Sequence, residues 1–393
     1  MNNLIHVDSY YRSLNHVGEE LCGDHVMTQR NEDGFIMVLA DGLGSGVKAS
    51  ILSTLTSTII SQMMAKGMAL EEAVETIAAT LPVCKERGIA YSTFAITHVL
   101  YTGETTIAEF DCPSVMIIRD NKILELEEEN LYLSGRNVKT KKYLAQDGDY
   151  IISYSDGVLH AGTGMTLNFG WGEKEVGEFL LKITKNDIEA RNVSRVLLAN
   201  ANDLYAGKPA DDTTVAVAKI IKAKDTVVMV GPPAKKENDA KVVRKLLSAK
   251  GAKICCGGTT SQIVARETNK EVRAGNLLSL TSDVPPIGYI DGIDLVTEGV
   301  LTLQKVNRLL TKAKDDKEYE EELLYSKEED GASLLIRELL KSTKVVFLVG
   351  LSDNPAHDAI KYSTISLNAK IALINEMKDN LEKLGKIVSI EMF

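Results

Sequence analysis

The sequence predicts an α+β layered sandwich over residues 1–222, followed by a separate α/β domain over residues 226–393. Three observations carry this expectation. Strand-like runs stand at both ends of the first region, with helical runs inserted between strand groups instead of a βαβ repeat. Composition shifts at Lys222-Ala223-Lys224-Asp225. Beyond that point, strand, glycine-rich turn and helix recur in order. A length of 393 residues agrees, being long for a single hydrophobic core.

In chain order, Phe35 to Ala40 is an apolar run bounded by Asp-Gly on both sides and reads as a buried strand. Val47 to Lys66 suits a helix, with Gly67 placed to end it. Leu70 to Cys84 repeats apolar residues at helical spacing. Tyr91 to Leu100, Thr105 to Phe110, Ser114 to Arg119 and Lys122 to Leu126 read as short strands between turn residues. Asp149 to Ser155 is a strand, Glu173 to Ile183 and Ala190 to Leu204 are helices, and Thr213 to Ile221 is the closing strand. In the second region Thr226 to Val230, Lys253 to Cys256 and Lys344 to Val349 are strands that run into glycine-rich turns. Asp239 to Lys250 is a helix between the first two. Lys312 to Asp330 is strongly charged and reads as a solvated helix or an exposed loop. No fixed-period repeat is visible.

The bulk numbers narrow the function. Hydrophobic content of 44% and charged content of 25% are ordinary for a globular chain. A net charge of -10 argues against nucleic-acid binding through a general basic surface. Five cysteines (Cys22, Cys84, Cys112, Cys255, Cys256), an odd number without paired spacing, do not make a disulfide framework. The adjacent Cys255 and Cys256 read as small buried hydrophobes or as a reactive thiol pair. Met1 to Arg12 is polar and mixed, unlike a signal peptide, and no apolar stretch is long enough to span a bilayer. The expectation is a cytoplasmic protein with no membrane and no nucleic-acid partner.

Four acidic motifs point to chemistry: Cys22-Gly23-Asp24, Ala40-Asp41-Gly42-Leu43-Gly44-Ser45-Gly46, Tyr154-Ser155-Asp156-Gly157 and Asp211-Asp212-Thr213-Thr214. Each places an Asp at the edge of an expected strand. Carboxylates gathered without matching cations raise one another's pKa, so such a cluster makes sense around divalent metal. Oxygen-only ligands select Mg²⁺ or Mn²⁺ over zinc, and metal pairs of that kind serve phosphate chemistry. Asp-Gly pairs are also ordinary turn formers. Asp33-Gly34, Asp147-Gly148 and Asp291-Gly292 read as plain turns.

In this order and spacing the motifs resemble the PPM family of metal-dependent protein serine/threonine phosphatases. The nearest branch is the bacterial type found in sporulation stage II protein E and the stress-response phosphatases. The resemblance covers roughly residues 1–222 and implies an α-β-β-α sandwich. It implies that Asp41 bridges two Mn²⁺ or Mg²⁺ ions, that the Gly42 carbonyl and Asp24 join one of them, and that Asp156 and Asp211 hold the other, with Asp41, Asp156 and Asp211 as the catalytic carboxylates. Asp212 either orients waters or caps a turn. The implied reaction is hydrolysis of phosphoserine or phosphothreonine on a protein substrate, an anti-sigma-factor antagonist being one candidate, by a hydroxide bridging the metals. It further implies that the helix after the glycine-rich turn, Val47 to Lys66, is a switch that orders the metal site.

The chain departs from the family pattern in two places. Leu43 stands where eukaryotic members carry a His that serves as general acid. His25 nearby is either a substitute or a structural residue. No Arg before Asp24 sits in the family's phosphate-binding setting, Arg12 being the one early arginine. Residues 226–393 resemble no family. Three turns there, Gly231-Pro232-Pro233, Gly257-Gly258-Thr259-Thr260-Ser261 and Gly350-Leu351-Ser352-Asp353-Asn354, are either tight βα turns or anion sites, and Glu298 is a ligand residue or a helix-start charge. A regulatory domain taking a small-molecule or protein effector is the expectation, with a fused second enzyme as its rival. For the first domain, a non-catalytic scaffold and a phosphatase for a small phosphorylated metabolite are the alternatives.

Overall fold

The computed structural model describes residues 5–31, 33–80, 92–133, 136–274, 287–352 and 366–393. Tyr91, Cys84 with the expected end of the second helix, and the Asp353-Asn354 end of the third turn lie outside them. The chain forms two compact units, Met1–Lys222 and Ala223–Phe393. No helix among the described residues is long and apolar enough to cross a membrane.

The first unit runs β1 (Ile5–Leu14), β2 (Asp24–Arg30), β3 (Gly34–Gly42), α1 (Gly46–Ala65), α2 (Leu70–Thr80), β4 (Ser92–Leu100), β5 (Glu104–Phe110), β6 (Met116–Arg119), β7 (Lys122–Ile123), β8 (Glu129–Leu133), β9 (Arg136–Leu144), β10 (Tyr150–Tyr154), α3 (Asp156–Leu159), α4 (Glu173–Thr184), α5 (Ala190–Leu204) and β11 (Thr213–Lys222). Two antiparallel sheets result, one ordered β1-β11-β10-β6-β7 and the other β2-β3-β4-β5-β9-β8.

β3 shows why this makes four layers. Its alternate residues Phe35, Met37 and Leu39 join a core that also holds Ile117, Ile151, Ala216 and Ala218 of the other sheet. The residues between them, Ile36, Val38 and Ala40, face a core containing Ile60 and Met64 of α1 and Val74 and Ile77 of α2. A strand buried on both faces must be apolar throughout, which is why its sequence does not alternate. On the far side, Tyr150, Ile152, Val215 and Val217 pack with Val176 and Leu180 of α4 and Val193 and Leu197 of α5. The architecture is therefore the α-β-β-α sandwich.

α1 is unusual in what it buries. Its inner face is Ala49, Ser53, Thr56, Ser57, Ile60, Ser61 and Met64. The buried hydroxyls donate to carbonyls one turn back, Thr56 to Leu52 at 2.8 Å and Ser57 to Ser53 at 2.8 Å. Those bonds are made within the helix, with Ser57 also meeting His25 of β2, so small residues let the helix lie close on the sheet. Val47, Ile51 and Leu55 are exposed instead.

β1, β2, β8 and β9 do not appear among the expected strands. All are polar on at least one side, and Met1 to Arg12, read as polar and mixed, contains most of β1. β1 pairs along its whole length with β11, Ile5 opposite Lys222 through Leu14 opposite Thr213. Long-range pairing, which leaves no local pattern, makes these segments strands.

The second unit runs β12 (Asp225–Val230), α6 (Asp239–Leu247), β13 (Ala252–Cys256), α7 (Gly258–Thr268), β14 (Arg273–Ala274), β15 (Gly288–Ile290), β16 (Ile293–Thr297), α8 (Val300–Ala313), α9 (Lys317–Tyr325), α10 (Gly331–Lys341), β17 (Lys344–Val349), α11 (Leu367–Lys383) and β18 (Ile387–Met392). Its sheet is ordered β14-β15-β16-β13-β12-β17-β18. β16, β13, β12, β17 and β18 are mutually parallel, and β14 and β15 form an antiparallel edge. α8, α10 and α11 cover one face, and α6 and α7 the other. Cys255 and Cys256 point to opposite faces, Cys255 among α6 and α7 and Cys256 among α8 and α10. Burial pushes both thiols up, Cys256 to about 12, so they are buried hydrophobes and not a thiol pair. The charged Lys312 to Asp330 stretch contains α9, whose Leu323 and Leu324 pack on the core.

Candidate active site

Register builds the site. β2 begins at Asp24 and β3 ends at Asp41-Gly42, and antiparallel pairing sets Asp24 directly opposite Asp41. In the other sheet, β10 ends at Tyr154 and β11 begins at Thr213. Ser155 N–H donates to the Thr214 carbonyl at 3.0 Å, and Thr214 N–H donates to Ser155 Oγ at 2.9 Å. That lock sets Asp156, the first residue of α3, beside Asp211-Asp212.

Two glycines are required by close approach. A Cβ on Gly42 would stand 2.2 Å from the Ala49 carbonyl oxygen of α1, and one on Gly157 would stand 2.3 Å from the Asp212 carbonyl oxygen. The Asp-Gly pairing therefore serves packing at these sites, and is more than turn chemistry. The Gly157 carbonyl accepts from the Tyr205 hydroxyl at 2.7 Å, which fixes the turn from the far side.

An open cleft of about 390 Å³ lies here, bordered by Asp41, Gly42, Leu43, Asp156 and Asp211, and also by His16 and Thr93. Asp24 is buried behind Asp41, and Asp212 is buried beside Asp211. All the sequence-expected site residues thus converge on this end of the sandwich. Sequence reasoning missed His16, which sits in a segment without periodicity or motif.

The electrostatics are one-sided. Burial, followed by the charges of Asp24, Asp156, Asp211 and Asp212, pushes Asp41 up to about 9. Burial pushes Asp24 up to about 7; the nearby Ser155 and Thr214 hydroxyls pull down, and Asp212 and Asp156 push up. Burial and then Asp156 raise Asp211. Neither oxygen of Asp24 has a hydrogen-bond partner, because Thr214 Oγ1 is bonded to Ser13 Oγ at 2.7 Å and Ser155 Oγ lies 3.5 Å from the Asp212 carbonyl. Asp212 Oδ1 accepts from His16 N–H at 2.9 Å, while its buried Oδ2 has no partner. Enclosed carboxylate oxygens without a donor are costly, and a bound cation is what would satisfy them. Among the described residues, no three His, Cys, Asp or Glu side chains are drawn together tightly enough to hold an ion unaided.

His25 and Arg12 stand elsewhere. His25 Nδ1 is 2.7 Å from Ser57 Oγ of α1, and burial lowers its pKa, so its ring is part of the helix-sheet packing. Arg12 is exposed on β1. The Cys22 thiol is pushed up to about 12 by burial and then by Asp24 and Asp212, and stays protonated.

Residues 31–221 match the family model of stage II sporulation protein E (SpoIIE). The first unit carries a SpoIIE domain. The match contains Asp41, Gly42, Asp156 and Asp211 and begins after Asp24. Among solved structures, the SpoIIE unit is similar to the PP2C phosphatase domain of SpoIIE with part of its regulatory domain from Bacillus subtilis, at 18% identity and a TM-score of 0.47, covering 56% of this chain and 63% of that one. The chain therefore spans less than two thirds of that protein. It is also similar to the RsbU and RsbW domains of Rv1364c from Mycobacterium tuberculosis, at 17% identity and a TM-score of 0.45, covering 62% of this chain and 68% of that one. A third likeness is to RsbX in complex with magnesium, at 20% identity and a TM-score of 0.40, covering 55% of this chain and 96% of that one. Among curated proteins, none matches the chain.

Proposed function

We propose that the SpoIIE domain hydrolyses phosphoserine or phosphothreonine on a protein substrate, with Asp24, Asp41, the Gly42 carbonyl, Asp156 and Asp211 holding two Mn²⁺ or Mg²⁺ ions. The observation that carries this reading is the meeting of Asp41, Asp156 and Asp211 at one cleft, with the oxygens of Asp24 enclosed behind them and neither given a hydrogen-bond partner. A scaffold has no physical reason to keep acids in a place where they raise one another's pKa. The looseness of the cluster suits these ions, since Mg²⁺ keeps several waters and needs only one or two carboxylates.

Such ions, when bound, polarise phosphoryl oxygens and activate water. The chain's own part is geometric. β2 and β3 hold Asp24 and Asp41 in register, the Ser155–Thr214 lock holds Asp156 against Asp211, and α1 closes over Gly42. The cleft is open enough for a phosphorylated side chain to reach the carboxylates. The family match supports a phosphatase, and our reading is that its substrate is a phosphorylated regulatory protein.

The second unit is read as the regulatory domain. Its parallel strands follow the doubly wound order, and ligands of such sheets bind outside the carboxyl ends at the point where strand order reverses. That point lies between β12 and β17, where Gly231 and Gly350 open their turns.

The test is hydrolysis of 4-nitrophenyl phosphate by the full chain with Mn²⁺, Mg²⁺ or chelator, repeated with Asp41→Ala. Turnover is expected to require the cation and to fall at least about 100-fold in the variant. Equal rates in the two proteins would reject the assignment.

A further inference from the structure

Breaking the bond from phosphorus to a serine or threonine oxygen leaves a strongly basic alkoxide, which needs a proton as it departs. The carboxylates of the cleft repel one another and, on the reading above, are committed to a cation. His25 is committed to Ser57. His16 is not committed. It borders the same cleft as Asp41, Asp156 and Asp211, and is the one histidine among the residues that line it.

The main chain holds His16 in place. Its N–H donates to Asp212 Oδ1 at 2.9 Å, and the next residue, Val17, donates to the Pro209 carbonyl at 2.8 Å. The segment is therefore pinned to the turn that carries Asp211. Among the described residues the imidazole has no hydrogen-bond partner: Nδ1 is enclosed without one, which leaves Nε2 as the nitrogen to meet a ligand. A ring positioned through its own backbone, used for no structural bond and set at the wall of a carboxylate-lined cleft is free to act on a ligand.

We propose that His16 is the general acid of this phosphatase, delivering the proton at Nε2 to the serine or threonine oxygen as it leaves phosphorus. The inference rests on the phosphatase reading above. Water adds to phosphorus while the ester P–O bond breaks. The leaving oxygen takes the bonding pair and the Nε2 proton and becomes a hydroxyl. The attacking water releases its proton to solvent, inorganic phosphate departs, and His16 regains a proton from solvent, so the net reaction consumes one water.

The test varies leaving-group basicity. The full chain, His16→Ala and His16→Gln are assayed with Mn²⁺ on a series of aryl phosphates from 4-nitrophenyl, whose leaving group needs little help, to phenyl, which needs more. Loss of the acid is expected to cost about 100-fold or more on phenyl phosphate and about ten times less on 4-nitrophenyl phosphate, so the dependence on leaving group steepens. A merely structural His16 would lower all members by one factor, and that result, or no loss at all, overturns the proposal. Thermal midpoints monitor folding; should His16→Ala melt early, His16→Gln decides, since both keep the backbone bond to Asp212. Asp41→Ala is expected to depress the whole series evenly. Absence of cation-dependent turnover in the unsubstituted chain would remove the phosphatase reading itself, and needs no variant to be seen.

Discussion

Burial keeps the folded Asp41 protonated, whereas the metal-holding role proposed for it needs it charged. Burial and the neighbouring carboxylates push the folded side chain from the ordinary 3.8 up to about 9, and burial pushes Asp24 up to about 7. Between those values the folded protein holds protons that the unfolded chain has released. Metal-free stability therefore falls as pH rises from about 4 towards 9. On the proposed reading, a bound divalent cation would reverse this by replacing the protons. The expected outcome at pH 8 is that Asp41→Asn raises the thermal midpoint of the chelated protein while abolishing the rise that Mn²⁺ gives the unsubstituted one. Melting curves with and without chelator measure both. A chelated Asp41→Asn that melts below the unsubstituted protein would mean that Asp41 already has a stabilising partner.

At the scale of the element, α1 is the part whose design the sequence pattern conceals. Its hydroxyl-rich side faces the sheet, and its Val47, Ile51 and Leu55 face out. Hydroxyls bonded to their own helix contribute little net burial energy, so α1 is held more weakly than a leucine-faced helix would be. Its first turn packs on Gly42, one residue from Asp41. A helix whose buried face is largely hydroxyl, next to the site, is suited to coupling its own order to cation binding, in keeping with the switch role that family resemblance implies. Amide hydrogen exchange should slow across Gly46–Ala65 when Mn²⁺ is added, by about 10-fold or more, while β3 and β4 change little. Equal protection of the helix in both states would remove the switch.

At the scale of the molecule, each unit has cores made of its own residues. The acidic cluster is made wholly by the first. Residues 1–222 expressed alone should therefore melt cooperatively and retain cation-dependent hydrolysis of 4-nitrophenyl phosphate within about 10-fold of the full chain. Unfolded or inactive 1–222 would show that the site depends on residues 223–393. For the second unit, a change in the full chain's turnover on adding nucleotides or sugar phosphates would identify the effector class.

The family and the layered fold were legible in the sequence because they rest on local chemistry. Asp-Gly at strand ends, the unbroken apolar run of β3 and the helical spacing of Ala190–Leu204 are each decided within a few residues. β1, β2, β8 and β9 were not legible, because polar edge strands are made by their partners and not by their own pattern. Cys255 and Cys256 were resolved only by the pleat that turns neighbours to opposite faces. The site divides in the same way. Asp24, Asp41, Asp156 and Asp211 announce themselves by motif, whereas His16 has none. What the residues determined by themselves was the four acidic motifs and that Asp41, Asp156 and Asp211 stand at the ends of recognisable strands. Only the tertiary structure decided that Asp24 lies opposite Asp41, that His25 is spent on Ser57, and that His16 is brought to the cleft by its backbone bond to Asp212, because register and long-range hydrogen bonds depend on segments far apart in the chain.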